Sequence, residues 1–239
     1  MLAPPSTPFK AFAVCLALIC AGVPATADAA KAKSKAKAKP AAVEAPIEAP
    51  ATVSRMAYWV TRSGDNQAMP FAIIDKAAAK VFVYDADGKM LGGTAALIGL
   101  TPGDDAVPGI GDRELSDIPP EDRTTPAGRF LAAYGPADGG RKVLWVDYAT
   151  AISLHPVVTT NPAEKRVERL KSPEIDDNRI TFGCINVPRK FYSKVVRPTF
   201  KETQGVFYII PDTKDLAEVF PSFWQSEFAV KTAMNAPAS

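Results

Sequence analysis

The chain has 239 residues, 47% hydrophobic and 23% charged, with Lys+Arg 28 against Asp+Glu 26 and a formal net charge of +2. These are the proportions of an ordinary soluble globular protein, long enough for one domain or two small ones. Acids and bases nearly cancel, so charge makes no case for nucleic acid as a partner.

The first residues read as an export signal. Lys10 precedes an apolar run, 11–23, that contains Val14, Leu16, Leu18 and Ile19, and the small residues Ala25, Thr26 and Ala27 follow. That is the pattern of a cleaved secretory signal. The run is shorter than the roughly 20 apolar residues a bilayer-spanning helix needs. Residues 1–27 are therefore expected to be removed, and the mature protein to reach the periplasm or cell wall. Removal takes Cys15 and Cys20 with it and leaves Cys184 as the lone thiol. A lone cysteine in an exported protein is buried and inert, paired between chains, or a working nucleophile.

Residues 28–54 read as a flexible tether. Lys31, Lys33, Lys35, Lys37 and Lys39 alternate with Ala and Ser, and 40–50 is rich in Ala and Pro. Few bulky apolar side chains are present to offset the entropy of ordering such a stretch. It is either a solvated linker or a basic segment attracted to an anionic surface, such as a wall polymer or outer-membrane lipid.

The folded part is expected to begin between residues 54 and 70, with a catalytic domain over 55–215 and a C-terminal extension over 216–239. Phe71-Ala-Ile-Ile-Asp75 and Lys80-Val-Phe-Val-Tyr-Asp85 have the β-branched and aromatic content of strands, and Asp87-Gly88 supplies a turn into a third run over 90–99. Residues 145–154 look like one strand, and 206–210 another, ended by Pro211. Short helices are expected over 162–170, 189–200 and 212–220, with Pro198 terminating or kinking the second. The Gly-, Pro- and Asp-rich loop 101–124 is long for a plain connection and is either a lid or binding loop or merely disordered. Many short strands between turn signals predict a mainly β sandwich or barrel with a few short helices.

His155 is the only histidine in the chain. It ends a predicted strand, and Pro156 turns the chain after it. Cys184 lies in Arg179-Ile-Thr-Phe-Gly-Cys-Ile-Asn-Val-Pro188. A thiol with a reference pKa of about 8.5 is mostly protonated at neutral pH and needs a base. One imidazole can take that proton and return it to a leaving amine. Gly183 permits unusual backbone angles or is a plain turn glycine, and the N–H groups around Gly183 and Cys184 suit a tetrahedral oxyanion.

With these residues in view, the sequence resembles the L,D-transpeptidase catalytic domain. His155 matches that family's first histidine. Thr181, Gly183, Cys184, Ile185 and Asn186 match its Ser/Thr-His-Gly-Cys-apolar-Asn/Arg core, and Thr125-Pro126-Ala127-Gly128-Arg129-Phe130 is similar to its Thr-Pro-x-Gly-x-Phe segment. The likeness runs over residues 70–211. It implies a mostly β fold, a peptidoglycan peptide stem as substrate, Cys184 as nucleophile, His155 as base oriented by a backbone carbonyl (here that of Pro156), and no metal or other cofactor. Phe182 stands where the family usually has a second histidine, beside the backbone groups assigned to the oxyanion. The spacer from His155 to Thr181 is longer than usual, either a lid or acceptor-binding loop or a solvated excursion. Thr181, Arg179 and Asn186 are expected near the substrate. For Arg179 the competing reading is an ion pair with Asp176 or Asp177, and for Asn186 a brace for the Cys loop. Trp145 and Tyr148 line the cleft or belong to the core. The expected activity is transfer of a stem acyl group to an amine. The alternatives are an L,D-carboxypeptidase or wall-detaching enzyme with the same pair, and a non-catalytic peptidoglycan-binding module.

Overall fold

Strands β1 (Phe71–Asp75) and β10 (Gly205–Ile210) are apolar runs without polar alternation, because both of their faces are covered. They pair in parallel, Phe71 opposite Val206 through Asp75 opposite Ile210. Ala72, Ile74, Phe207 and Ile209 point into the main core. Phe71, Ile73, Val206, Tyr208 and Ile210 point into a second core on the opposite face. The structure, a computed structural model, describes residues 47–137 and 142–234, with side chains up to 227. The export signal and the lysine-rich part of the tether lie outside the described residues.

The remaining strands are β2 (Lys80–Tyr84), β3 (Met90–Ala95), β4 (Ile98–Gly99), β5 (Gly128–Pro136), β6 (Lys142–Asp147), β7 (Ile152–Pro156), β8 (Arg179–Thr181) and β9 (Ile185–Val187). Eight of the ten form one sheet in the order β3-β2-β1-β10-β5-β6-β7-β9, and β4 pairs with β8. Just past edge strand β3, Leu97 exchanges both backbone hydrogen bonds with Asn186 of β9, each 2.8 Å. The two ends of the long sheet therefore meet, and the sheet is nearly closed around the main core. The expected mainly β fold with short helices holds.

Several elements differ from expectation. Residues 145–154 are not one strand but two, because Asp147 accepts hydrogen bonds from Ala149 N (3.1 Å) and Thr150 Oγ1 (2.7 Å) and turns the chain between β6 and β7. Helix α1 (Ala51–Ser63) begins inside the stretch read as tether. Its Val53, Met56, Ala57 and Val60 recur at helical spacing and are buried against the second core. Each large apolar side chain so buried contributes roughly 1.5–3 kcal/mol. Gly64 ends the helix at φ 71, a left-handed cap that favours glycine. In the region read as an extension, Phe220 and Phe223 also enter this core, with Trp59 edge-on to Phe223 at 5.7 Å.

The expected helix over 162–170 is a 3-10 turn (Pro162–Glu164) and α2 (Arg166–Arg169), broken by Lys165 at φ 48. Residues 189–200 are helical throughout: α3 (Arg189–Phe191), a π turn (Tyr192–Val196) and α4 (Arg197–Phe200). The π turn comes just before Pro198, which lacks the N–H that an unbroken α-helix would use there. Of residues 212–220 only α5 (Leu216–Val219) is helical, because the N–H groups of Asp212, Thr213 and Lys214 donate to the Asp104 carboxylate instead. α6 (Pro221–Met234) closes the described chain, and no helix among the described residues is long and apolar enough to cross a membrane.

Candidate active site

β7 and β9 run in parallel with Leu154 opposite Ile185 and His155 opposite Asn186. Side chains alternate along a strand, so Ile152, Leu154, Ile185 and Val187 fill the main core. Ser153, His155, Cys184 and Asn186 share the other face. They stand as two pairs: Ser153 Oγ lies 3.5 Å from Cys184 Sγ, and Asn186 Nδ2 lies 3.1 Å from His155 Nε2. The Cys184 thiol also reaches the Ala151 carbonyl at 3.6 Å. His155 Nδ1 lies 2.9 Å from the Pro156 carbonyl, an acceptor that favours a proton on that nitrogen.

Gly183 sets the nucleophile's position. Its φ is +122, and a Cβ there would lie 2.6 Å from Ile152 Cδ1 and 2.7 Å from the Thr124 carbonyl oxygen. Glycine is required for conformation and for space. Two threonines brace the turn. Thr181 Oγ1 donates to the Cys184 carbonyl (2.7 Å) and accepts from Gly183 N (3.1 Å). Thr125 Oγ1 donates to the Gly183 carbonyl (2.7 Å) and accepts from Gly99 N (2.9 Å).

Thr125 is itself tied to a buried charge cluster. Lys76 Nζ donates to the Thr125 carbonyl (2.8 Å), the Gly103 carbonyl (2.6 Å) and Asp104 Oδ1 (2.5 Å). Burial pushes the Asp104 carboxyl up, but the donors from Lys76, Thr213, Lys214 and Asp212 outweigh it and hold the group well below the usual carboxylate range.

The electrostatics of the pair are opposed in the same way. Burial raises the Cys184 thiol. His155 beside it, with the Ser153 hydroxyl and backbone, overcomes that and leaves it below an ordinary cysteine. Burial lowers the His155 imidazole. Cys184 and the Pro156 carbonyl overcome that and leave it above an ordinary histidine, against the Arg166 charge. A thiolate and an imidazolium favour each other, which is the condition for a nucleophile at neutral pH.

The other residues singled out in the sequence lie as follows. Arg179 pairs with the buried Asp212, and neither Asp176 nor Asp177 is its partner. Thr181 is 2% exposed and Asn186 is fully buried, so both brace the site from beneath. Gly183 N–H is engaged by Thr181 and is not free for an oxyanion. Phe182 is half-buried under the Arg123 guanidinium, 4.0 Å from the ring centroid, and Arg123 Nε and Nη2 both donate to the Ile118 carbonyl. Loop 101–124 is thus docked on the Cys motif, with 3-10 turns at Ile110–Asp112, Leu115–Asp117 and Pro120–Asp122. Trp145 and Tyr148 meet edge to face at 5.2 Å, with Tyr148 exposed on the β6–β7 turn. Trp145 is the Cα partner of Ser153 and so shares the Cys184 face. Sequence reasoning missed Ser153, whose signal was its position two residues before His155 on a strand, and Arg166, for which no sequence signal existed. Among the described residues no cluster of three His, Cys, Asp or Glu side chains is placed to hold a metal.

No family model matches the chain, and no curated protein matches it. Among solved structures it is similar to an L,D-transpeptidase from Mycobacterium smegmatis, at 14% identity and TM-score 0.36 over 59% of this chain and 58% of that one. It is similar to the catalytic domain of the E. faecium L,D-transpeptidase, at 19% identity and TM-score 0.33 over 59% and 95%. It is also similar to the helical cell shape determining protein Pgp2 of Campylobacter jejuni, at 16% identity and TM-score 0.38 over 67% and 57%. The chain spans less than two thirds of the length of the M. smegmatis and C. jejuni proteins.

Proposed function

We propose that this chain is an L,D-transpeptidase of the bacterial cell wall, acting on peptidoglycan peptide stems through an acyl-enzyme on Cys184. The observation that carries the reading is that the only thiol outside the proposed export signal and the only imidazole come to one face of the sheet, Cys184 just before β9 and His155 on the parallel strand β7, each shifting the other's ionisation toward thiolate and imidazolium.

Cys184 Sγ attacks the carbonyl of the third stem residue. The oxyanion falls to the backbone N–H of Cys184, since that of Gly183 is spent on Thr181. The intermediate collapses to a thioester as the His155 imidazolium gives its proton to the departing D-alanine amine. An acceptor amine then attacks the thioester and loses a proton to His155, and the thiol is restored. The Pro156 carbonyl orients the ring through both steps.

The same proposal places the protein outside the cytoplasm after loss of residues 1–27. The first test is mass spectrometry of tetrapeptide muropeptides incubated with the protein and with Cys184→Ala. Crosslinked dimers made only by the parent support the proposal. Tripeptides without dimers move it to hydrolysis, and no change with either protein removes it.

A further inference from the structure

We infer that Arg166 is a positioning residue for His155: by donating to Asn186 it fixes the direction of that amide, and through it the nitrogen on which the imidazole carries its proton. The inference rests on the reading of His155 as the base for Cys184. Arg166 belongs to the long spacer between His155 and Thr181, the segment for which sequence offered only a lid or a solvated excursion.

The spacer is built to deliver this one side chain. Asn161 Oδ1 accepts from Ala163 N (3.2 Å) to open it. Lys165, at φ 48, breaks the helical path immediately before Arg166. Arg169 Nε donates to the Glu164 carbonyl (2.9 Å), and Leu170 anchors the far end in a small core with Leu97 and Val157. Arg166 is thereby turned inward, its side chain 12% exposed. Its Nε pairs with Glu164, and its Nη1 donates to Asn186 Oδ1 at 2.8 Å.

A guanidinium has donors and no acceptor, so the atom of Asn186 facing it must be the oxygen. The amide nitrogen must then face the ring, 3.1 Å from His155 Nε2. An amide N–H can only donate, so Nε2 presents its lone pair and the ring proton sits on Nδ1, toward the Pro156 carbonyl. With the amide reversed, Oδ1 would accept from an Nε2–H and support the imidazolium. Arg166 forbids that reversal, because it would set donor against donor. The arm therefore works against a proton on Nε2, while Cys184 and Pro156 work for the imidazolium. A base held between these two influences takes a proton from a thiol and releases it to an amine more readily than one committed to either state. The charged and titratable groups facing the ring are Cys184 from the turn before β9 and Arg166, with its partner Glu164, from the spacer.

The chain has a single histidine, so its ring nitrogens can be followed by long-range 15N–1H correlation across a pH titration of the 15N-labelled full chain. The parent is expected to show the neutral ring protonated on Nδ1. Arg166→Met is expected to bring in the Nε2–H form and move the titration midpoint to higher pH. Arg166→Lys, which still donates to Asn186, is expected to keep the parent tautomer. A parent ring protonated on Nε2 overturns the inference whatever the variants do. A folded Arg166→Met with the parent's tautomer and midpoint also overturns it. The readout uses no substrate: the expected tautomers together with no turnover of muropeptides support the positioning role and sink only the transpeptidase reading.

Discussion

Ser153 on β7 and Cys184 in the turn just before β9 stand side by side, hydroxyl to thiol 3.5 Å, although 31 residues separate them in sequence. The register that places His155 opposite Asn186 places this pair one step back along the same face. The hydroxyl and the Ser153 backbone both help to hold the thiol below its ordinary pKa. Ser153→Ala is expected to slow alkylation of Cys184 by iodoacetamide near neutral pH by roughly 3- to 10-fold, the scale of one ordinary hydrogen bond. An unchanged rate would mean that the hydroxyl only fills space.

His155→Ala removes the larger influence. Because His155 holds the thiol down, the parent's alkylation rate should rise at lower pH than that of an ordinary cysteine, and the variant's rise should move to higher pH, where burial alone would place it. Turnover of tetrapeptide stems should fall about 10²–10⁴-fold, the usual share of a general acid–base group. Cys184→Ala should abolish it. Both variants should keep the parent's circular dichroism, since neither side chain belongs to the apolar core. Wild-type turnover in either would refute the assigned roles.

Gly183→Ala tests the geometry rather than the chemistry. The added methyl would meet Ile152 Cδ1 at 2.6 Å and the Thr124 oxygen at 2.7 Å, on a backbone at φ +122. A non-glycine residue held in such a region costs about 1–3 kcal/mol before any clash is counted. A lowered denaturant midpoint and a loss of fast thiol alkylation are expected together. Retention of both would show that the turn has room to relax.

The strands were legible where composition matched environment. Residues 71–74 and 206–210 are apolar at every position because both faces are buried, and no other element explains such runs as well. Strand β5 went unread because its Ala and Gly residues dilute the β signal, and the β6–β7 hairpin because side-chain alternation continues across Asp147. Helix α1 was hidden by the Ala- and Pro-rich stretch before it. In the site, Cys184 and His155 were legible because each is the only residue of its kind left to consider. Their neighbours were not. Ser153 comes from strand register, Arg166 from a left-handed turn at Lys165, and Asp212, the partner of Arg179, from a segment that wraps Asp104. Each depends on a contact between distant residues that no local pattern encodes.

The same wrapping gives the last prediction. Lys76 and Asp104 are paired with side chains 1% and 0% exposed, and Lys76 also donates to the Thr125 carbonyl. The Thr125 hydroxyl in turn holds the Gly183 carbonyl, so the buried pair lies two hydrogen bonds, through Thr125, from the nucleophile's turn. Removing one partner of such a pair leaves an uncompensated buried charge and typically costs about 3–5 kcal/mol. Lys76→Met is therefore expected to lower stability by that order, and Lys76→Met combined with Asp104→Leu by less. The pH dependence has a definite sign. The Asp104 carboxyl titrates lower in the folded protein than in the unfolded chain. Its contribution is thus present above the unfolded value of about 3.9 and is lost as pH falls toward the folded one. Denaturant midpoints at pH 7 and pH 3 should diverge more for the parent than for Asp104→Asn. Equal acid sensitivity in the two proteins would place the acid-labile interaction elsewhere.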